Sequence, residues 1–303
     1  MRKIEVKQID AFTKTPFQGN AAGVVLKAEG LTARQMQGIA KEMNLSETAF
    51  VVNRGVSKVF TVRFFTPQNE VDLCGHATIA TFHALAETGE IASTRPYSEV
   101  VQITKAGRLP VRVFFDRKKP KMVFMGQAKP QFQRVRVDSR SLAALLGIKP
   151  AHLDLDHAPI EMAFTGLWHL IVPMKSRLVI DQAKPDYLKL ADFNRHLSVV
   201  TTHLFTLHHG RRGITCYGRD FAPAAGVNED PVTGTANGAL GAYLVKNDLV
   251  RRPSGEMEMV FEQGNRFGRR GILSIRIIHQ GGTVSQVWVG GEAVTVMEGR
   301  IRV

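Results

Sequence analysis

Three small groups of side chains have the types and spacing for chemistry. Glu47 sits in Asn44-Leu-Ser-Glu-Thr-Ala-Phe50, Cys74 and His76 flank Gly75, and Asp230 precedes Gly234 and Thr235. A carboxylate screened from water can take a proton from carbon, and a thiol beside a helix start is favoured as thiolate. Imidazole, carboxyl and hydroxyl groups can hold a substrate's polar atoms. Plainer readings stand beside these. Glu47 could be a structural or exposed loop residue, and His76 and Asp230 could cap the helix starts they adjoin. Asn44-x-x-Glu47 has the outline of a capping box, but the residues after it are β-branched and apolar rather than helical. The ten histidines include no His-Glu-x-x-His, and neither cysteine belongs to a Cys-x-x-Cys pair, so no metal centre is expected. His208-His209 reads as a surface turn and Cys216 as buried packing inside a strand.

The elements that must position these residues occur twice. Arg63-Phe-Phe-Thr-Pro67 is followed by Glu70 and then by Cys74-Gly-His-Ala-Thr-Ile-Ala80, with an apolar stretch to Leu85. Arg219-Asp-Phe-Ala-Pro223 is followed by Glu229-Asp230 and then by Thr233-Gly-Thr-Ala-Asn-Gly-Ala239, with an apolar stretch to Leu244. Both copies read Arg-x-Phe-x-Pro, an acid, then Gly-x-Ala-x-x-Ala-x4-Leu. Half a chain separates them, too far for a solenoid repeat, so a duplicated domain is expected. The surroundings agree. Met1–Asp10, Asn20–Leu26, Thr48–Val52 and Lys58–Phe64 read as strands in the first half, and Thr32-x-x-Gln35 forms a capping box before Met36, Ile39, Ala40 and Met43 at helical spacing. In the second half, Trp168–Val172, Thr202–Leu207 and Gly213–Tyr217 read as strands around a helical stretch near Asp186–His196. Strands Val100–Thr104 and Ile272–Ile277 follow the two Ala-rich helices. The expected fold is α+β, with two pseudo-symmetric half-domains, each a curved, barrel-like sheet around a central helix. The halves are expected at 1–118 and 119–303, seamed near Arg117–Met122, with the last strand free to return to the first half.

Gly75 and Gly234 each stand where a loop feeds an Ala-rich helix. The first turn of such a helix leaves amides unpaired at its positive end, and glycine lets a ligand approach that backbone. Two such turns facing each other across a cleft would hold a carboxylate; the alternative is that both glycines serve turn geometry and packing alone. Gly234-Thr-Ala-Asn-Gly-Ala-Leu-Gly241 does not match Gly-x-Gly-x-x-Gly, so no nicotinamide cofactor is expected, and no nucleotide-binding Gly-x4-Gly-Lys-Ser/Thr loop occurs.

The 303 residues carry 44% hydrophobic and 22% charged side chains, ordinary for a folded chain long enough for two domains. The net charge of +13 raises the question of nucleic acid. Its clusters at Arg117–Lys121, Arg211-Arg212, Arg251-Arg252 and Arg269-Arg270 are short, turn-like and without interleaved aromatics, so the expected role is attraction of a small acidic substrate. No segment has the apolar length of a membrane helix, the N-terminus lacks the core of a signal peptide, and two cysteines suit a reducing compartment; a cytoplasmic protein is expected.

Six motifs then carry a resemblance over essentially the whole chain: Asp10-Ala-Phe-Thr13, Pro16-Phe-x-Gly-Asn20, Asn44-Leu-Ser-Glu-Thr-Ala-Phe50, Phe64-Phe-Thr-Pro67, Leu73-Cys-Gly-His-Ala-Thr78 and Glu229-Asp-Pro-Val-Thr-Gly234. The chain resembles the PhzF-like phenazine-biosynthesis isomerases. That resemblance implies a diaminopimelate-epimerase-like fold, a homodimer, and cofactor-free, metal-free isomerisation of a dihydro-hydroxyanthranilate-type acid. It places the catalytic carboxylate at Glu47 and further active-site positions at His76 and Asp230. The family's serine position is Thr235, and Asn237 stands where many members carry histidine, departures that bear on the substrate more than on the chemistry. On this view closure of the halves desolvates Glu47, which moves a proton between two carbons on one face of a small cyclic acid. His76, Asp230 and Thr235 hold the substrate. Competing readings are a thiol-dependent two-base racemase or epimerase, and a non-catalytic binder of an acidic metabolite.

Overall fold

A computed structural model of the chain describes residues 2–55, 58–92, 97–208, 210–250 and 254–303. Met1, His209, Arg251 and Arg252, all named above, lie outside them. The chain divides into two compact units, residues 1–126 with 290–303, and residues 127–289.

In the first unit the chain runs through β1 (Lys3–Ala11), β2 (Asn20–Val25), α1 (Ala33–Met43), β3 (Glu47–Gly55), β4 (Val59–Phe65), β5 (Glu70–Val71), α2 (Gly75–Glu87), β6 (Tyr97–Thr104), β7 (Gly107–Asp116) and β8 (Lys119–Gly126). The second contains β9 (Gln131–Arg134), α3 (Ser139–Leu145), β10 (Glu161–Phe164), β11 (Trp168–Pro173), α4 (Arg177–Gln182), α5 (Tyr187–Leu197), β12 (Thr201–Thr206), β13 (Cys216–Ala222), β14 (Val227–Asp230), α6 (Gly234–Lys246), β15 (Gly255–Gln263) and β16 (Gly271–Gln280). β17 (Thr283–Gly291) leads out of it, and β18 (Ala293–Arg302) pairs antiparallel with β1. Arg117 and Lys118, both with positive φ, make the turn of the β7–β8 hairpin.

Strand pairing repeats between the units. β1–β2 and β10–β11 are antiparallel, β2–β3 and β11–β12 parallel, β3–β4 and β12–β13 antiparallel, β4–β6 and β13–β15 parallel, β6–β7 and β15–β16 antiparallel. A parallel neighbour needs a crossover, and helices supply it. α1 and α5 are each 11 residues long and end on a left-handed residue, Asn44 at φ 49° and Ser198 at φ 55°. Three residues later come Glu47 and Thr201, each the first residue of its strand. Glu47 therefore opens a strand rather than lying in a loop, because Asn44 turns the chain sharply out of α1.

Two apolar layers explain the stability of each unit. In α1 the capping box forms as the sequence requires, with Gln35 N–H donating to Thr32 Oγ1 at 3.2 Å and Thr32 N–H to Gln35 Oε1 at 3.0 Å. Its Met36, Ile39 and Ala40 pack on Ile4, Val25, Phe50 and Phe65. α2 and α6 differ, being buried along nearly their whole length. A helix apolar on every side must be wrapped by other elements. α2 accordingly touches β1, β2, β3, β7, β8 and β18.

The Arg-x-Phe-x-Pro repeat becomes one device built twice. Arg63 grips Glu70 with two bonds of 2.7 and 2.9 Å and lies over the Phe65 ring at 5.2 Å. Arg219 grips Glu229 with two bonds of 2.7 Å and lies over Phe221 at 4.8 Å. Each clamp ties the strand before a central helix to the short strand leading into it. The strand carrying the second motif starts at Cys216, later than the Gly213 expected, and includes Arg219 itself. Arg211 and Arg270, read above as turn-like residues, stay about half exposed yet also join Arg177 on the fully buried Glu262.

Unit 2 also buries an uncommon polar network. Phe205 packs on Tyr243 of α6, so by strand alternation Thr201 and His203 share that inner face. His169 Nδ1 meets the Thr201 hydroxyl at 2.8 Å, the hydroxyl donates to Asp220 Oδ1 at 2.7 Å, and His203 Nδ1 lies 2.9 Å from the same oxygen. Burial drives the His169 pKa down from 6.5 to about 4. The folded state thus keeps His169 neutral while the unfolded chain protonates it below its ordinary pKa. The resulting stability is complete above that value and is lost as pH falls from 6.5 toward 4. At about 1.4 kcal/mol per pH unit the loss is about 3 kcal/mol. Urea titrations at pH 7 and pH 4.5 should show a smaller loss in His169→Gln than in the parent; equal losses would refute the assignment.

Candidate active site

The register of β3 decides where Glu47 points. Phe50 and Val52 pack outward on the α1 layer, so Glu47, Ala49 and Val51 face the opposite way, toward α2. There Glu47 Oε2 lies 3.3 Å from His76 Nε2, in the first turn of α2, with side-chain exposures of 20% and 7%. Asn20 Nδ2, at the start of β2, is 3.3 Å from His76 Nδ1. With the Asn20 amide donating to Nδ1, the imidazole hydrogen sits on Nε2 and is directed at the Glu47 carboxylate. Cys74 Sγ lies 3.4 Å from the same Nδ1.

The α2 start is well suited to an anionic group. Cys74 is its N-cap, no side chain caps it, and its first turn holds no acid. Neither Gly75 nor Gly234 is among the glycines with positive φ, so turn geometry alone does not demand glycine at either place. His76 does not cap the helix, which removes the plainer role considered for it.

In unit 2 the corresponding helix start is also uncapped, with Thr233 at the N-cap. The Thr233 hydroxyl donates to Asp230 Oδ2 at 2.6 Å, so Asp230 holds the N-cap residue of α6. Gln263 laces this turn together. Its Nε2 donates to Asp230 O at 2.9 Å, and its Oε1 accepts from Thr233 N–H at 3.2 Å and from Asn237 Nδ2 at 2.7 Å. Asn237 Nδ2 also reaches Thr233 O at 2.8 Å, which makes this buried amide a staple of the α6 start. Thr235 is buried, and its carbonyl accepts from the Thr165 hydroxyl at 3.2 Å.

The structure therefore brings Glu47 and His76 together in unit 1, and Asp230 and Thr235 to one helix start in unit 2. Asn20 and Gln263 were missed as contributors. Asn20 lay inside a quoted motif, a usable signal; Gln263 comes from a distant strand and had none.

Comparison with known proteins places the chain in a class. The description "Phenazine biosynthesis-like protein" belongs to a family model, PhzC-PhzF, that matches residues 9–299. An uncharacterized isomerase of Clostridium acetobutylicum is 37% identical over 99% of this chain and 99% of its own. The crystal structure of a PhzF-family phenazine biosynthesis protein from Bacillus anthracis is 34% identical, covers 100% of both chains and superposes with a TM-score of 0.90. A hydroxyproline epimerase from Agrobacterium vitis shares the fold at a TM-score of 0.66 and 13% identity, over 99% of this chain and 91% of its own. The fold is thus the α+β, diaminopimelate-epimerase-like architecture. The chain belongs to the PhzC-PhzF family of isomerase-type enzymes. Among the described residues no helix is long and apolar enough to cross a membrane.

Proposed function

We propose that the protein isomerises a small, carboxylate-bearing, cyclic carbon acid, with Glu47 moving a proton from one carbon to another. The observation that carries this reading is the Glu47 carboxylate held 3.3 Å from His76 Nε2 beside an uncapped helix start. His76, oriented by Asn20, steadies the carboxylate and can stabilise charge developing on the substrate. Unpaired first-turn amides of α2 are suited to a carboxylate or enolate oxygen. Asp230 and Thr235 supply polar contacts to the substrate, and the active species is a cytoplasmic homodimer. The family resemblance supplies both the substrate type, trans-2,3-dihydro-3-hydroxyanthranilate-like, and the role of Glu47, and the contact of Glu47 with His76 supports that role.

One carboxylate acting on one face leaves an isotopic signature. A substrate deuterated at the reacting carbon should yield product that retains part of its label, because the proton on Glu47 can return before exchanging with water. A two-base epimerase would deliver solvent hydrogen to the product. Mass spectrometry of product formed from cyclic acids separates the two. Ligand-induced thermal stabilisation without turnover or deuterium uptake across the panel would instead favour a binding protein.

A further inference from the structure

We propose that Glu47, Cys74 and His76 form a binding site for a thiophilic divalent cation of the zinc type, and that the bound ion silences the enzyme. Ligand atoms of all three residues lie within 4.8 Å of one another. Glu47 Oε2 and His76 Nε2 are 3.3 Å apart, and Cys74 Sγ is 3.9 Å from the same nitrogen. Zinc takes sulfur at about 2.3 Å and nitrogen or oxygen at about 2.0–2.2 Å, so the donors of a tetrahedral site stand about 3.3–3.6 Å apart. The nitrogen–oxygen edge already has that length, whereas Cys74 Sγ, which lies nearer Nδ1 (3.4 Å) than Nε2 (3.9 Å), must turn about χ1 toward Glu47 to join an ion on Nε2.

Chemistry narrows the ion. A thiolate, an imidazole and a carboxylate form a borderline-soft set that favours zinc or cobalt over magnesium or calcium. Binding releases the Cys74 thiol proton to solvent, and no electrons move. With Nε2 on the ion, the imidazole hydrogen moves to Nδ1, and Asn20 turns its amide to accept it through oxygen. The three protein ligands leave a fourth position for water, and the exposed fraction of Glu47 gives the ion a route in.

The fold itself does not require these donors. At the corresponding places of unit 2, set by the same helix ends and helix starts, stand Thr201, Thr233 and Thr235. Unit 1 alone carries the carboxylate, thiol and imidazole. Separate spacing patterns in sequence could not reveal the trio, because Glu47 reaches the Cys-x-His pair only through the β3 register.

Metal binding rests on geometry alone; its inhibitory consequence rests on the reading of Glu47 as proton carrier, since a carboxylate on zinc cannot accept a proton from carbon. The test is a cobalt(II) titration of the full chain. A thiolate-to-cobalt charge-transfer band should saturate at one equivalent, together with the intense visible bands of four-coordinate cobalt. The only other cysteine, Cys216, is buried, with its thiol pushed far up by burial, so the band reports Cys74. Cys74→Ser should abolish the band, and Glu47→Gln should weaken cobalt affinity about 10-fold or more. Absence of the band, or its survival in Cys74→Ser, would overturn the inference. Zinc should inhibit proton exchange, and EDTA should restore it. A cobalt band with exchange untouched by zinc leaves the metal site standing and removes Glu47 from proton transfer; no band, with Glu47→Gln inactive, does the reverse.

Discussion

Glu47→Gln should lower carbon-proton exchange by about 10³-fold or more while leaving the fold intact. Glutamine keeps the size of the side chain and an oxygen that can accept from His76 Nε2, so the contact at 3.3 Å survives in outline. What it loses is the ability to hold a proton taken from carbon. The side chain is only partly buried, and the melting temperature should stay within a few degrees of the parent. Deuterium uptake from heavy water into a cyclic carboxylic acid, followed by NMR, reads the activity; circular dichroism reads the fold. A fully active variant would remove Glu47 from the chemistry. Cys74→Ser separates the readings further, because a single shuttling carboxylate keeps exchange within about tenfold, whereas a thiol base loses it. The second unit already argues against a paired-thiol mechanism, since Thr233 occupies the place of Cys74 and turns its hydroxyl to Asp230.

The second large effect falls on the duplicated clamp. Arg219→Ala should cost about 3–5 kcal/mol, the usual penalty for leaving a buried charge unpaired. Arg219 and Glu229 have side-chain exposures of 6% and 9%, and Arg219 also donates to the carbonyls of Ile180 and Ala183 near the end of α4 at 2.7 and 3.0 Å. Arg63→Ala, at the matching place in unit 1, should cost about 1 kcal/mol, because Arg63 is 29% exposed and Lys105 Nζ, 2.7 Å from Glu70 Oε2, still pairs with the acid left behind. Urea unfolding of both variants measures the contrast, with Glu229→Gln as a milder probe should Arg219→Ala fail to accumulate. Equal costs would mean that burial does not set the strength of the clamp.

These two predictions also mark how far the sequence could be read. Arg-x-Phe-x-Pro, the following acid and the Gly-led helix were visible as letters because each is local. They proved to be an ion pair, a ring contact and a central helix, repeated in both units. The Thr32–Gln35 box was legible for the same reason. Glu47 was visible as a residue but not as a contact, since its direction depends on Asn44 ending α1 in the left-handed region and on β3 alternation. The network of His169, Thr201, His203 and Asp220 joins three strands through side chains that share a face only after pairing. The bonds of Arg211 and Arg270 to Glu262 were not legible because both arginines lie in turn-like stretches and meet the acid only once β15 is in place. Local chemistry was legible, and chemistry assembled by strand register was not.

β18 sets the order in which the protein can be completed. It lies beside β1, pairing Lys3 with Arg302 and Ala11 with Ala293, and α2 touches both strands. As the chain leaves the ribosome, residues 127–289 have emerged before the strand that closes the sheet of unit 1 exists. Until then β1 presents an open edge, and the helix bearing His76 lacks part of its wall. The half that begins first is therefore finished last, and the pairing of Glu47 with His76 matures only once synthesis has passed through β18.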